Sequence, residues 1–251
     1  MWLINNLQMQ EYIKTCEAFC SDDKLFKNFK SDPSYNRIVG MSKEYQAREW
    51  SKKIIEDKEL FQKMSIFRRN DVCAPPRIYS DENFGTISPS TMRYVFTLYN
   101  IKRLFDTDTK NISKTIEIGG GYGGLAFILS NYFNLEKYCV VDLPEVTQLC
   151  KKYLNRMNVK CFTDVDVEEK YDLLIAEYSF TEFDDTQMEL YYNKYFLKSE
   201  MVYVAENFGL GEEERRAHWL EKFKQDFNVV VEEEYPYSGY KNYIWACTRK
   251  K

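Results

Sequence analysis

The stretch TIEIGGGYGGLAFIL, Thr115 to Leu129, places five of the chain's ten glycines within six positions. Thr115–Ile118 alternate with an apolar bias, and Leu125–Leu129 form an unbroken run of apolar helix formers. That order predicts a strand, a tight turn and a helix, with a bare backbone at the turn where another group can approach closely. Gly119, Gly121 and Gly124 fit the GxGxxG spacing directly after the strand. In doubly wound sheets this first turn is where ligands sit, facing the N–H groups of the following helix.

The texture changes on either side of this turn. Residues 1–110 read as successive helices: LQMQEYIKTCEAFC and SKEYQAREWSKKIIEDKELFQKM carry apolar residues at three- and four-residue spacing, with Ser42 as an expected N-cap. CAPPRIYSDENFGTISPS interrupts them as a loop, and STMRYVFTLYNIKRLF resumes. Residues 111–251 alternate strands with helices. Strands are expected at KTIEIG, KYCVVDL, VKCFTDV, YDLLIAE, MVYVAEN, FNVVVEEEYP and YIWACTR. The expected fold class is therefore α/β: a mostly parallel, seven-stranded, Rossmann-like sheet at 111–251 behind an N-terminal helical lid and substrate region at 1–110.

The second expected strand ends in Asp142, 18 residues past Gly124. A carboxylate at that place accepts both hydroxyls of a ribose. Glu117, two residues before the first glycine, repels a pyrophosphate but suits the ammonium of a methionine moiety. EIGGGYGGLA followed by VVDLPE resembles the motif pair of class I methyltransferases that use S-adenosylmethionine. More narrowly, it is similar to the sugar O-methyltransferases of bacterial polysaccharide, capsule and antibiotic-sugar gene clusters. The likeness extends from FGTISPSTMRYVFTLYNIKRLF to YDLLIAEYSFTEF, about residues 84–185. It implies that Glu117, Gly119, Gly121 and Tyr122 line the methionine part of the cofactor, that Asp142 holds the ribose, and that Leu143 lies against the adenine. Asp164 or Asp166 would bond the adenine amino group, unless both belong to a solvated acidic turn.

Methyl transfer is an in-line displacement governed by positioning, and a hydroxyl acceptor also needs a base. Glu182 and Glu177, at the end of YDLLIAE and just after it, are the expected candidates, with His218 a third. The resembling enzymes often carry a His-Asp base pair near this place, where this chain has Thr181-Glu182. Arg93, Tyr94, Tyr178 and Asn207 are expected around the acceptor. Glu177, Glu206 and Asn207 also form a possible oxygen-ligand set for Mg²⁺, which would lower the pKa of a diol. Ser88 or Ser90 can cap the helix carrying Arg93. The aromatic segment EYPYSGYKNY is either a sugar-stacking wall or the closing antiparallel strands.

Bulk properties narrow the classes. A net charge of -4 with scattered basic residues argues against a nucleic-acid partner. No window approaches the roughly 18 apolar residues of a membrane span, and the start lacks the order of a signal peptide. Seven widely spaced cysteines and one histidine disfavour zinc and suit a reducing cytoplasm. The leading expectation is O-methylation of a sugar, nucleotide sugar or capsule precursor by a monomer or homodimer. The alternatives are methylation of a phosphoramidate or phosphoryl oxygen met by Arg93, an NAD-dependent oxidoreductase, and a binding module without turnover.

Overall fold

The computed structural model describes residues 6–39, 42–75, 77–105, 111–209, 211–237 and 241–251. The expected boundary between residues 110 and 111 adjoins 106–110, which lie outside the described residues, as do 238–240 of the aromatic segment. The N-terminal part forms α1 (Asn6–Ser21), α2 (Asp23–Phe26), α3 (Pro33–Val39), α4 (Glu44–Ile54) and α5 (Lys58–Phe67), then a hairpin of β1 (Tyr79–Asp81) and β2 (Gly85–Ile87), then α6 (Pro89–Phe105).

Two local expectations are corrected. The periodic run from Ser42 to Met64 is two helices, because the Asp57 carboxylate accepts the Glu59 and Leu60 N–H groups and starts α5 afresh. Ser42 does not cap α4. Its hydroxyl is buried without a partner, and the chain enters the helix through a bond from the Lys43 N–H to the Gln46 side chain. At α6, by contrast, Ser88 Oγ accepts the Thr91 N–H at 3.1 Å.

The remainder alternates: β3 (Lys114–Ile118), α7 (Gly124–Ser130), β4 (Lys137–Val141), α8 (Pro144–Arg156), β5 (Tyr171–Glu177), α9 (Asp185–Lys194), β6 (Ser199–Ala205), α10 (Glu213–Asp226), β7 (Phe227–Glu233) and β8 (Tyr243–Arg249). The strands form one sheet in the order β4-β3-β5-β6-β8-β7, parallel from β4 to β6, with β8 and β7 antiparallel. This is a Rossmann-like, doubly wound α/β fold.

The sheet has six strands among the described residues, not seven. The segment VKCFTDV contributes a single bridge, Tyr138 to Phe162. Only two backbone bonds hold it, Tyr138 N–H to Cys161 O and Thr163 N–H to Tyr138 O. Beyond them Asp164, Asp166 and Glu168 are exposed, with Asp166 accepting the Glu168 N–H, and residues of this kind pair poorly in strands.

Strand alternation sorts the side chains onto two faces. Ile116, Ile118, Leu174, Ala176, Val202, Val204 and Trp245 join the cluster covered by α9 and α10. Val140, Leu173, Ile175, Tyr203 and Ala246 join the other cluster, which also contains Tyr12 of α1, Met92 of α6, Leu125 of α7 and Leu149 of α8. By the same parity Glu117 and Glu177 belong to this second set, beneath α6. Among the described residues no helix is long and apolar enough to cross a membrane. All seven cysteines are free.

Candidate functional site

The glycine turn follows β3 directly. Gly119 has φ +75° and Gly121 φ +52°, a left-handed backbone that side chains rarely adopt. Their surroundings differ. A Cβ on Gly119 would lie 2.3 Å from Ser179 Cβ, so the segment that follows β5 presses against the turn there. Among the described residues, a Cβ on Gly121 would meet only the Tyr35 hydroxyl, 4.0 Å away. Gly124 admits no side chain because the Tyr94 ring would stand 2.4 Å from it. A Cβ on Gly123, outside the GxGxxG reading, would stand 2.8 Å from Cys150 Sγ. The turn is thus packed beneath and open at Gly121.

Three carboxylates surround it. Glu117 is buried under the turn, 3% exposed, with its carboxyl receiving the Tyr138 hydroxyl at 2.7 Å. Asp142, at the end of β4, accepts the Gly121 N–H at 3.0 Å with one oxygen and the Leu143 N–H at 2.7 Å with the other. Glu177, ending β5, accepts the Thr97 hydroxyl at 3.0 Å and faces Arg93 Nε at 3.6 Å, both partners being on α6.

All three are shifted the same way for the same leading reason. Removal from water pushes Glu117 up to about 8, against the Tyr138 hydroxyl bond and with repulsion from Glu177 and Asp142. Burial also raises Asp142, with the Leu143 and Gly121 N–H groups opposing it. It raises Glu177 too, with Arg93 and Thr97 opposing. Buried carboxylates normally come with matching cations. Here, among the described residues, only Glu177 of the three faces a guanidinium, that of Arg93, and the acidic surroundings of the turn suit a cationic ligand.

The other expected residues fall into three groups. Arg93, Tyr178 and Glu177 come together: the Arg93 guanidinium lies 5.9 Å from the Tyr178 ring centre and 5.1 Å from that of Tyr94. Tyr178 has φ +56°, an uncommon conformation for a tyrosine, and its hydroxyl bonds Glu234. Just beyond, Asn207 donates to the exposed Glu182 carboxylate at 3.1 Å, and Thr181 bonds the Asn207 backbone and side chain.

A second group supports the turn from below. Tyr122 is 5% exposed, wedged against Tyr153, Phe29 and Tyr94, with Asn70 donating to its hydroxyl at 3.1 Å. The expectation that Tyr122 lines the ligand is corrected, since its ring fills the aromatic core, as does that of Tyr94. Leu143 stands half-buried beside Asp142. Asp164 and Asp166 are both exposed after the single bridge, and Asp166 is occupied with the Glu168 N–H.

The third group lies elsewhere. His218 is exposed on α10, which covers the opposite face of the sheet, with its ring edge-on to Trp219. The catalytic expectation for it is therefore corrected. The Mg²⁺ set is corrected as well. Glu177 is tied to Arg93 and Thr97, Asn207 to Thr181 and Glu182, and Glu206, fully buried, to Arg216 Nε at 2.7 Å and the Phe208 N–H at 2.8 Å. Among the described residues no group of three or more His, Cys, Asp or Glu is placed to hold a metal ion.

Sequence reasoning missed Tyr35, Tyr138 and Thr97. Strand parity pairs Tyr138 with Glu117, because Glu117 stands opposite Val140 and both belong to the face beneath α6. No local signal marks Tyr35.

Residues 72–169 match the family model of the O-methyltransferase domain. No curated protein sequence matches the chain. Among solved structures it is similar to the methyltransferase domain of bacterial CtHen1-CN, at 17% identity over 62% of this chain and 97% of that one, with a TM-score of 0.49. It is also similar to Thermoplasma acidophilum 1320, at 18% identity over 64% and 89%, with a TM-score of 0.47. A third is an rRNA methylase from Streptococcus thermophilus, at 10% identity over 61% and 96%, with a TM-score of 0.46.

Proposed function

We propose that the chain is an O-methyltransferase that binds S-adenosylmethionine at the glycine turn and methylates a hydroxyl of a sugar or sugar-linked small molecule. The observation that carries the cofactor reading is the trio of carboxylates, Glu117 buried, Glu177 nearly so and Asp142 half-buried, around a turn left open at Gly121. A dinucleotide would bring a pyrophosphate into the same acidic surroundings, which disfavours the oxidoreductase alternative. The family match over residues 72–169 supports oxygen as the accepting atom. The sugar rests on the sequence resemblance.

Residue roles follow from placement. Asp142, fixed by two N–H groups, keeps lone pairs for ribose hydroxyls. Glu117 answers the ammonium group, and Gly121 lets the ligand reach the backbone. Leu143 flanks the base, and Asp164 is better placed for its amino group than the occupied Asp166. When bound, the cofactor supplies an electrophilic methyl on a positively charged sulfur. Glu182 takes the acceptor's proton, with Asn207 orienting its carboxylate at 3.1 Å.

Glu177 is held by Arg93 and Thr97 and contributes negative charge rather than proton transfer. Since Glu177 already pairs with Arg93, the guanidinium is poorly disposed to receive a phosphoryl group. That weakens the phosphoramidate alternative. Incubation with S-adenosylmethionine and a panel of nucleotide sugars, read by mass spectrometry, tests the reading. A product heavier by one methylene from a hydroxyl-bearing sugar supports it. Methylation confined to phosphoryl oxygens, or cofactor binding with no product from any hydroxyl acceptor, overturns the acceptor assignment.

A further inference from the structure

Tyr35 sits in α3, far in sequence from the glycine turn, yet among the described residues its hydroxyl is the one atom within 4 Å of the place a Gly121 side chain would occupy. The residue is 2% exposed. Its ring is walled by Phe29, Tyr12 and Phe19 at centre distances of 5.3, 5.7 and 6.0 Å. The backbone is fixed as well. The Asp32 carboxylate accepts the Ser34 and Tyr35 N–H groups, and Asn36 donates to the Lys30 carbonyl. The hydroxyl is therefore held in place, and it has no hydrogen-bond partner among the described residues. A buried hydroxyl left unmet is uncommon and destabilising, because it gave up water and received nothing in return.

A missing partner at the open side of a ligand-binding turn has a simple explanation: the ligand provides it. We propose, on the methyl-donor reading above, that Tyr35 binds the cofactor by donating its hydroxyl proton to the carboxylate of the methionine moiety. Burial keeps the phenol protonated, so it offers a donor. The complementary group must be an acceptor, and neither the ammonium nor the sulfonium is one. Glu117, Asp142 and Glu177 would repel a carboxylate, so its recognition falls to a neutral donor brought in from outside the sheet. The N-terminal helices thus take part in cofactor recognition, beyond the lid and substrate role expected of them.

Tyr35→Phe removes the oxygen and keeps the ring. Calorimetry with S-adenosylhomocysteine and with 5′-methylthioadenosine, which lacks the amino-acid part, separates the possibilities. The expected result is a loss of about 10- to 100-fold in affinity for S-adenosylhomocysteine, the scale of one hydrogen bond to a charged group. Affinity for methylthioadenosine stays within about 2-fold, and the melting temperature of the free protein is unchanged or higher. Unchanged S-adenosylhomocysteine affinity, equal losses for both ligands, or a lower melting temperature without ligand would each overturn the assignment. Failure of the unmutated protein to bind either nucleoside would instead remove the methyl-donor reading on which it rests.

Discussion

The two faces of the sheet are built from the same strands and do opposite things. Under α9 and α10 the interior is aromatic, and the buried Glu206 carboxylate is matched by Arg216: Phe180, Tyr192, Phe196, Trp219, Phe223 and Trp245 interlock with centre distances of 4.5–6.3 Å. Under α6 the same strands present Glu117 and Glu177, with Asp142 at the edge. One face is packed to be stable. The other holds charge that its own protein groups leave incompletely balanced, as binding sites do and cores do not. Substitutions should therefore separate stability from binding according to the face they touch.

The largest loss of stability is expected from the aromatic face. Trp219→Ala removes a fully buried ring and its bond to Asp185. It should cost about 3–5 kcal/mol, a drop of roughly 10 °C in melting temperature, while cofactor affinity measured below that temperature stays unchanged. On the acidic face the pattern reverses. Asp142→Ala should lower S-adenosylhomocysteine affinity about 100-fold, the scale of two bonds to a charged group, with little change in thermal stability. Equal thermal losses in both variants would erase the contrast between the faces.

A subtler contrast concerns pH. Glu117 is raised to about 8 in the folded protein from an ordinary value of 4.5. Its contribution to stability is then full below about pH 4.5 and is lost as pH rises through about 8, because the unfolded chain ionises first. Glu117→Gln retains an acceptor for Tyr138 and should be more stable than the unmutated protein by roughly 3–5 kcal/mol above pH 8, the difference closing below pH 5. Chemical denaturation across that range checks the sign. Smallest of all, His218→Ala should alter stability by less than about 0.5 kcal/mol and leave activity untouched. A clear loss of turnover would return catalysis to α10.

Much of this division was visible in the sequence because it is local. The strand–turn–helix around Gly119–Gly124 and the carboxylate ending the next strand lie within 26 consecutive residues, Glu117 to Asp142. What was hidden depends on distant pairings. Thr97 reaches Glu177 across 80 positions, so α6 claims a carboxylate that sequence reading had left free for catalysis. Tyr122 looked like a ligand contact because it lies among the glycines, but the N-terminal helices supply Phe29 and Asn70 to bury it. The missing seventh strand reflects a balance of propensities. Val159–Thr163 favours pairing, yet the exposed acidic residues after it pair poorly, and a single bridge forms.

The most direct test of the acidic turn as a cation site is calorimetry of S-adenosylmethionine binding at pH 7 in phosphate and in Tris, whose ionisation enthalpies differ. A bound cation should force Glu117 to ionise, so binding should release a sizeable fraction of a proton in the unmutated protein and none from that residue in Glu117→Gln. Tight binding without proton release, or preference for NADH over S-adenosylmethionine, would contradict the account.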